Sequence, residues 1–412
     1  MKKMMLFVSL VILQLFFYTH IVFAGSGGVL NIYIDADRTG AKASGISIEQ
    51  GVRLALSEIN NKINDYKIEL VIRDHHGSSR RSALHLKEFV NDPNGLAVFS
   101  GLHSPPVLSN LDYMNEKEIL LLDPWAAAGP ITRTTDSSGR NWIFRLSVDD
   151  TRAGEIITAY AVDKEGFKKP ALLLEDTPWG RSNESSMITA LEKRGLAPLG
   201  IIWFNWNIGE NGAREILTEI YSKEVDVIFM VANAPEGITF IKAMAERDIK
   251  ERLPIRSHWG ITGGSFFETL GPEVLVDIVD LRFIQTSFSF LDLEQSPFSI
   301  DVFNRASLMF PEIIEPEDIK APCGFIHSYD LTRILISALN QIEISEDIIR
   351  TRRLLRDALE NITTPVQGLV KIYTKPFREY SEEDSFAHEA LGLQDLKMAE
   401  YTKKGGIRLV DE

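Results

Sequence analysis

The chain has 412 residues, of which 44% are hydrophobic and 25% are charged, and its formal net charge is −14 at pH 7. A chain of this length and apolar content can bury the cores of two domains. The acidic balance argues against nucleic acid and against an anionic membrane surface as partners. The single cysteine, Cys323, excludes a disulfide bond within the chain.

The first 24 residues have the pattern of a signal peptide. Lys2 and Lys3 precede an apolar run that ends at Ala24, and we predict cleavage near that residue. The alternative is a membrane anchor, but Gln14 and His20 interrupt the run, which is barely long enough to span a bilayer. An exported chain without disulfides fits a bacterial periplasm.

The next part of the chain alternates between β-rich runs and amphipathic helical patterns. We predict a strand at 29–34, a helix at 48–61, a strand at 68–73, a helix at 81–90, a strand at 96–100, a helix at about 106–115 and a strand at 118–122. Strands that alternate with helices in this way indicate right-handed βαβ units and a parallel sheet.

A second series of the same kind begins after the segment NWIFR at 141–145. Its predicted helices are 153–165, 181–194, 212–222 and 236–248, and its predicted strands are 170–174, 199–204, 225–230 and 255–258. Beyond it we predict a strand at 281–286 that leads back to the first series, a helix at 329–342, and late strands or hairpins at 366–373 and 397–410. Two similar series in tandem predict an α/β fold with two Rossmann-like lobes.

The segment 96–132 is the most informative, because it places two loops side by side at the carboxyl edge of one sheet. That edge is where open α/β sheets bind ligands. The loops offer the hydroxyl of Ser104 and several backbone N–H groups, with no strong general base or nucleophile. This pattern favours holding a small anion over transforming it. An alternative is that Ser104 only caps the helix that opens at Pro105-Pro106.

Short motifs in a fixed order carry a resemblance to a known family. They are GISIEQG at 45–51, LALSEIN at 54–60, RD at 73–74, GLHS at 101–104, DPWAAAGPIT at 123–132, FR at 144–145 and WG at 179–180. In this order the chain resembles the type I periplasmic solute-binding proteins, and among them the leucine/isoleucine/valine-binding group that serves ABC importers. The resemblance implies two lobes that close about a hinge on a small solute, with lobe 1 at 29–146 plus 286–366 and lobe 2 at 147–285 plus 367–412.

The resemblance also implies which residues meet the solute. A ligand carboxylate would be held at Ser104 and by the loop of Ala126 and Ala127, where Ala127 stands in place of the family's threonine. Trp179 would close over the ligand from lobe 2. The tyrosine of the family falls near Asn233 or Ala234.

The acidic residue that pairs with a ligand ammonium in that family falls on Trp259, which follows His258. A tryptophan cannot act as a counter-ion, although cation–π contact or stacking remains possible. Asp123 and Glu236 are the candidate substitutes for that acidic residue. Trp125, Trp179 and Trp259 are predicted to form an aromatic box, and the alternative is that one or more of them only pack in the core. The predicted ligand-binding residues are Ser104, Trp125, Ala126, Ala127, Trp179, Asn233, His258 and Trp259.

The sequence lacks the motifs of a metal site, a phosphate-binding loop and a nucleophilic serine. His103, His258 and His327 fall near loop edges without metal-ligand spacing, residues 260–264 lack the features of a phosphate-binding loop, and residues 101–105 lack the second glycine of a nucleophile elbow. We therefore predict a non-enzyme without metal or cofactor, which delivers a small amino-acid-like or aromatic carboxylate solute to an ABC permease. We expect a monomer, with a dimer left open. The alternatives are a ligand-sensing receptor subunit of a signalling system and, less favoured, an exported hydrolase.

Overall fold

The computed structural model describes residues 27–410, so the predicted signal peptide at 1–24 lies outside the described residues. The first sheet is built from β1 (Val29–Ala36), β2 (Lys62–Ile63), β3 (Tyr66–Asp74), β4 (Gly95–Ser100), β5 (Leu121–Asp123) and β6 (Ile143–Arg145). Its strand order is β2-β3-β1-β4-β5-β6. Every pair is parallel except β2 with β3, which form a hairpin.

The later strands are β7 (Pro170–Glu175), β8 (Gly200–Phe204), β9 (Val227–Val231), β10 (Ile255–Ser257), β11 (Leu281–Thr286), β12 (Val366–Gln367), β13 (Ile372–Tyr373), β14 (Leu396–Tyr401) and β15 (Ile407–Leu409). The second sheet has the order β15-β14-β11-β10-β9-β7-β8, and β12 pairs with β13 alone. The pairs from β7 to β11 are parallel, whereas β14 and β15 join antiparallel. The predicted late hairpin is therefore confirmed.

Helices cover the two sheets. They are α1 (Lys42–Ser57), α2 (Ser79–Asn91), α3 (Ser104–Leu108), α4 (Leu111–Glu116), α5 (Asp150–Thr158), α6 (Pro178–Glu192), α7 (Glu210–Ser222), α8 (Ala234–Ala245), α9 (Phe266–Pro272), α10 (Pro297–Met309), α11 (Pro322–Leu339) and α12 (Ile348–Glu360). Short 3-10 segments lie at Gly129–Thr132, Ile249–Glu251, Trp259–Gly263, Pro316–Asp318 and Leu393–Asp395, and π-helical segments at Ala159–Lys164 and Glu273–Ile278. None of the described helices has the length and apolar character needed to cross a membrane.

The predicted helix at 106–115 is wrong in one respect, because the chain forms two helices there. Asn110 lies between α3 and α4, and its amide Nδ2 donates to the carbonyl of Pro106 at 2.7 Å. A side chain that takes a backbone acceptor in this way competes with a continuous helix. The strand predicted at 118–122 begins only at Leu121, since Glu118 has a φ of +52° that no strand residue adopts.

The chain returns to the first sheet after β11. Helix α11 packs along α1, and α12 packs against β4. The sequence predicted only the later part of α11 and missed α9, α10 and α12. The chain thus passes between the two sheets after β6, after β11 and before β14, since Glu389 still bridges to Arg145 of the first sheet. The predicted lobe boundaries stay a proposal.

Candidate functional site

The loops that follow β4 and β5 touch at the carboxyl edge of the first sheet. The N–H of Ala128 donates to the hydroxyl of Ser104 at 3.2 Å. Ser104 is the first residue of α3, and the N-cap position belongs to His103, whose side chain makes no capping bond. The interpretation that Ser104 only caps its helix is therefore wrong. Because its oxygen accepts the bond, the hydroxyl keeps its own hydrogen for another acceptor.

Asp123 uses part of the predicted anion-binding loop. Its Oδ1 accepts hydrogen bonds from the N–H groups of Trp125 at 3.1 Å and Ala126 at 2.8 Å, and from the hydroxyl of Ser100. Burial raises the pKa of Asp123 to about 6, against the effect of the nearby Arg145 and these hydrogen bonds. The N–H of Ala126 is thus occupied, whereas the N–H of Ala127 has no acceptor among the described residues.

Arg145 fixes the same loop from behind. Its guanidinium donates to the carbonyls of Ala126 at 3.1 Å and Ala128 at 2.8 Å. It also pairs with Asp149 at 2.7 Å and Glu389 at 2.5 Å, and all three charged side chains are buried. Burial opposes the charge, but the two carboxylates raise the pKa of Arg145 above its usual range. The FR motif at 144–145 therefore holds the loop in shape.

The second lobe contributes side chains from the ends of its own strands. Trp179 lies in the first turn of α6, which the hydroxyl of Thr177 caps. A Cβ at Gly260 would lie 2.7 Å from the Trp179 ring and 2.6 Å from the carbonyl oxygen of Ala232. Only glycine at that position lets the Trp179 ring pack where it does. Asn233 donates from its amide to Glu175 at 2.8 Å.

Residues from both sides line one small cavity between the lobes. Six of the predicted ligand-binding residues meet there: Ser104, Trp125, Ala127, Trp179, Asn233 and Trp259. The cavity measures only about 10 Å³, which is room for about one water molecule. A larger solute therefore requires the tryptophan rings or the lobes to move apart.

The three tryptophans are part of the core as well as of the cavity wall. Trp125, Trp179 and Trp259 are 0%, 5% and 1% exposed and belong to one hydrophobic cluster. A Cβ at Gly324 of α11 would lie 2.6 Å from the Trp125 ring. The three rings thus line one cavity and also pack in the core, and a box that binds a ligand stays a prediction.

His258 and Ala126 do not line this cavity. His258 lies behind Trp179, with the ring centroids 5.0 Å apart. Its Nε2 is 3.3 Å from Oδ1 of Asp150, and the indole N–H of Trp179 donates to the same oxygen at 3.3 Å. Burial raises the pKa of Asp150, while His258 and Ser182 act in the opposite direction. The sequence analysis missed Asp150, because the sequence does not show into which part of the fold this side chain points.

The other candidate histidines have structural partners. His327 faces the carbonyl of Pro124 at 2.8 Å and the hydroxyl of Thr286 at 3.1 Å. His103 faces Asp37 at 3.1 Å. Within residues 27–410, no group of three or more histidine, cysteine or acidic side chains is placed to hold a metal ion.

Known proteins match this chain in sequence family and in fold. A family model described as "Periplasmic binding protein" matches residues 33–277, which is more than half of the chain. No curated protein sequence matches it.

Solved structures share the whole architecture at low sequence identity. A periplasmic binding protein type 1 from Bordetella pertussis Tohama I is 19% identical with a TM-score of 0.76, covering 93% of this chain and 99% of that one. A solute-binding protein of an ABC transporter from R. palustris, in complex with 4-hydroxybenzoate, is 15% identical with a TM-score of 0.73 and coverages of 93% and 96%. A branched-chain amino acid transporter substrate-binding protein from Streptococcus pneumoniae, in complex with isoleucine, is 17% identical with a TM-score of 0.71 and coverages of 93% and 99%.

Proposed function

Because this chain belongs to the periplasmic binding protein family, we propose that it captures one small organic solute between two lobes and delivers it to an ABC importer. One observation carries the proposal. Ser104 and Ala127 from the first lobe face Trp179, Asn233 and Trp259 from the second across a single cavity. Residues from separate sheets that meet in this way suit a trap that closes on its ligand, and the proposed role involves no chemical conversion.

The solute we propose is amino-acid-like or an aromatic carboxylate. The free hydrogen of the Ser104 hydroxyl and the N–H of Ala127 can donate to a carboxylate oxygen, and such bonds to a charged group are strong. The tryptophan rings favour a flat or hydrophobic body. Relatives of this fold in complex with 4-hydroxybenzoate and with isoleucine support this range of solutes.

Solute entry requires opening, since the cavity between the closed lobes holds about one water molecule. We propose a hinge at the passages between the two sheets, with lobe 1 at 29–146 plus 286–366 and lobe 2 at 147–285 plus 367–412. The proposed partner of the closed form is a permease of the inner membrane. Export through a signal peptide at 1–24 would place the protein in the periplasm, as a monomer with a dimer left open.

A thermal-shift screen against amino acids, aromatic acids and short dicarboxylates tests the proposal. A ligand present at 100 times its dissociation constant adds roughly 2.7 kcal/mol to the free energy of unfolding of the protein. The melting temperature of the protein should therefore rise measurably. The hit should then remain chemically unchanged after incubation with the protein. Turnover of the solute would overturn the proposed role.

A further inference from the structure

A second cavity, about 280 Å³ in volume, opens beside the tryptophan-lined one and shares Leu102, His103 and Asn233 with it. Loops of both lobes form its walls. The first lobe contributes Asp37, Gly40, Ala41, His76 and Gly77, and the second contributes Trp206, Asn207, Ala234, Pro235 and Glu236. This outer cavity therefore belongs to the same cleft and is close to the lower size of small-molecule sites, about 300 Å³.

The charged walls of the outer cavity are acidic. Asp37 and Glu236 line it from opposite lobes, and the described residues around it include no lysine or arginine. Burial opposes the ionisation of Asp37, but hydrogen bonds from His103 and from the N–H groups of Gly40 and Thr39 hold the pKa of Asp37 well below its usual range. One oxygen of Glu236 accepts from the N–H of Asn207 at 2.9 Å.

His103 adds a buried ring nitrogen that has no partner among the described residues. The side chain is 8% exposed, its Nε2 lies 3.1 Å from Oδ2 of Asp37, and its Nδ1 is buried without a partner among the described residues. A buried polar atom without a hydrogen-bond partner is costly, and a solute in the cavity can supply the missing partner.

Trp206 supplies an aromatic face. Its ring lies 5.7 Å from that of His103 across the cleft, and the side chain is 38% exposed although it is large and apolar. A tryptophan face within about 6 Å attracts an organic cation. The outer cavity thus combines two carboxylates, a free imidazole nitrogen and an indole ring.

We propose that the outer cavity binds a cationic group of the solute, a protonated amine or a guanidinium, between Asp37 and Glu236 and against Trp206. The proposal rests on the proposed function, because the cavity lies in the solute cleft. It extends that function by giving the solute a positive charge on the side of the cleft away from Ser104. The N–H groups of such a cation would donate to the carboxylates of Glu236 and Asp37.

Calorimetric titration with one matched pair, the cation benzylamine and the neutral benzyl alcohol, and with the guanidinium compound agmatine tests this. We expect the cations to bind and the alcohol to bind at least tenfold more weakly. Glu236→Gln should weaken binding of the cations about tenfold to a hundredfold, the effect of one hydrogen bond between charged groups. The control is Glu246→Gln. Glu246 lies at the end of the same helix, and its carboxylate pairs with Arg214 at the surface. This variant should leave the affinity for the cations unchanged.

A second variant keeps the cationic site testable if Glu236→Gln fails to fold. Trp206→Ala removes a partly exposed ring, so it should fold and should also weaken binding of the cations. The cationic site would be wrong if the cations did not bind and a neutral or anionic solute bound wild type and Glu236→Gln equally. That result would leave the proposal of solute capture intact. If no compound of any charge binds and no solute is released on denaturation, the proposed function fails as well.

Discussion

Ser104 and Arg145 act on the same loop, residues 125–128, from opposite sides. The hydroxyl of Ser104 accepts from the N–H of Ala128, while the Arg145 guanidinium takes up the carbonyls of Ala126 and Ala128. With Asp123 binding two further N–H groups, nearly every polar backbone atom of the loop has a partner. A loop fixed in this way presents a preformed donor, which lowers the cost of ordering it when a solute binds.

Ser104→Ala tests whether the hydroxyl of Ser104 donates a hydrogen bond to the solute. Loss of one hydrogen bond to a charged ligand costs about 1.5–3 kcal/mol, so the affinity should fall roughly tenfold to a hundredfold. Ser109→Ala is the control, because that hydroxyl bonds only to Ser79 at the surface. Calorimetry with the ligand from the thermal-shift screen gives the affinities. Unchanged affinity together with a lower melting temperature would assign Ser104 a purely structural role between the loops.

Arg145→Met tests the buried ion network. Removal of the guanidinium leaves Glu389 buried without its partner and leaves Asp149 with Arg133 alone. Breaking a buried network in this way typically costs about 3–5 kcal/mol, and urea unfolding measures the loss. Arg214→Met, at an exposed pair, should leave the unfolding midpoint unchanged. A loss below about 1 kcal/mol, the range of exposed pairs, would contradict the importance given to this network.

At the scale of elements, α11 links the two sheets to the tryptophan-lined cavity. Gly324 lets the ring of Trp125 lie against this helix. One turn later His327 faces the carbonyl of Pro124 in the first lobe and the hydroxyl of Thr286 at the end of β11. Its ring also lies 5.4 Å from that of Trp259. The helix therefore supports two of the cavity tryptophans and touches the carboxyl ends of strands in both sheets.

Burial of His327 makes stability depend on pH. Desolvation lowers its pKa from the usual 6.5 to about 4, against the hydrogen bond to Pro124. Between these values the unfolded chain takes up a proton that the folded chain refuses, so the free energy of unfolding falls as the pH falls. From about pH 7 to about pH 5, this one residue should remove about 2 kcal/mol.

The comparison of wild type with His327→Gln isolates that contribution. Asp123 and Asp330, whose pKa values burial raises to about 6, act in the opposite direction over part of the same range, and they are present in both proteins. Urea unfolding at the two pH values should show the advantage of the wild type shrinking by about 2 kcal/mol on acidification. An advantage that stays constant would mean that His327 is protonated equally in the folded and unfolded chains.

The strands were predictable from the sequence, because buried parallel strands are continuous apolar runs. The loops of the site were predictable because open α/β sheets bind ligands at the carboxyl ends of their strands. Helix α10 and the start of α11 were not, since their exposed or uniformly buried faces give no clear helical period. The occupation of the Ala126 N–H by Asp123 and the placement of Asp150 depend on side-chain direction in the folded loops. Spacing in the sequence carries no information on that.

At the scale of the whole molecule, the closed cleft has a hydrophobic inner end and an acidic outer end. The inner cavity is bounded by three tryptophans, and the outer one by Asp37 and Glu236. Gly263 of the second lobe approaches so closely that a Cβ there would lie 2.6 Å from the Leu102 side chain of the first lobe. The lobes are thus in direct contact, and ligand selection depends on which groups they enclose.

Ordinary α-amino acids should be poor ligands. Trp259 stands where the resembled family carries the acid that pairs with the ligand ammonium, and Ala127 stands in place of its threonine. Asp37 and Glu236 line the outer cavity and not the tryptophan-lined one, so an ammonium group beside a carboxylate at Ser104 would be buried without a counter-charge, which is costly. Calorimetry with leucine, phenylalanine and benzoate should therefore show weak binding of both amino acids relative to benzoate. Tight leucine binding that survives Trp259→Ala would show that the cleft residues are assigned wrongly.

The most direct test of solute capture is mass spectrometry of what the native protein carries. The protein is purified from cells that export it, without unfolding, and the solutes released on denaturation are identified and counted. Capture between closed lobes predicts one small organic solute, close to one molecule per chain and chemically unchanged after prolonged incubation. Release of a product that the protein itself forms from added solute would contradict the account.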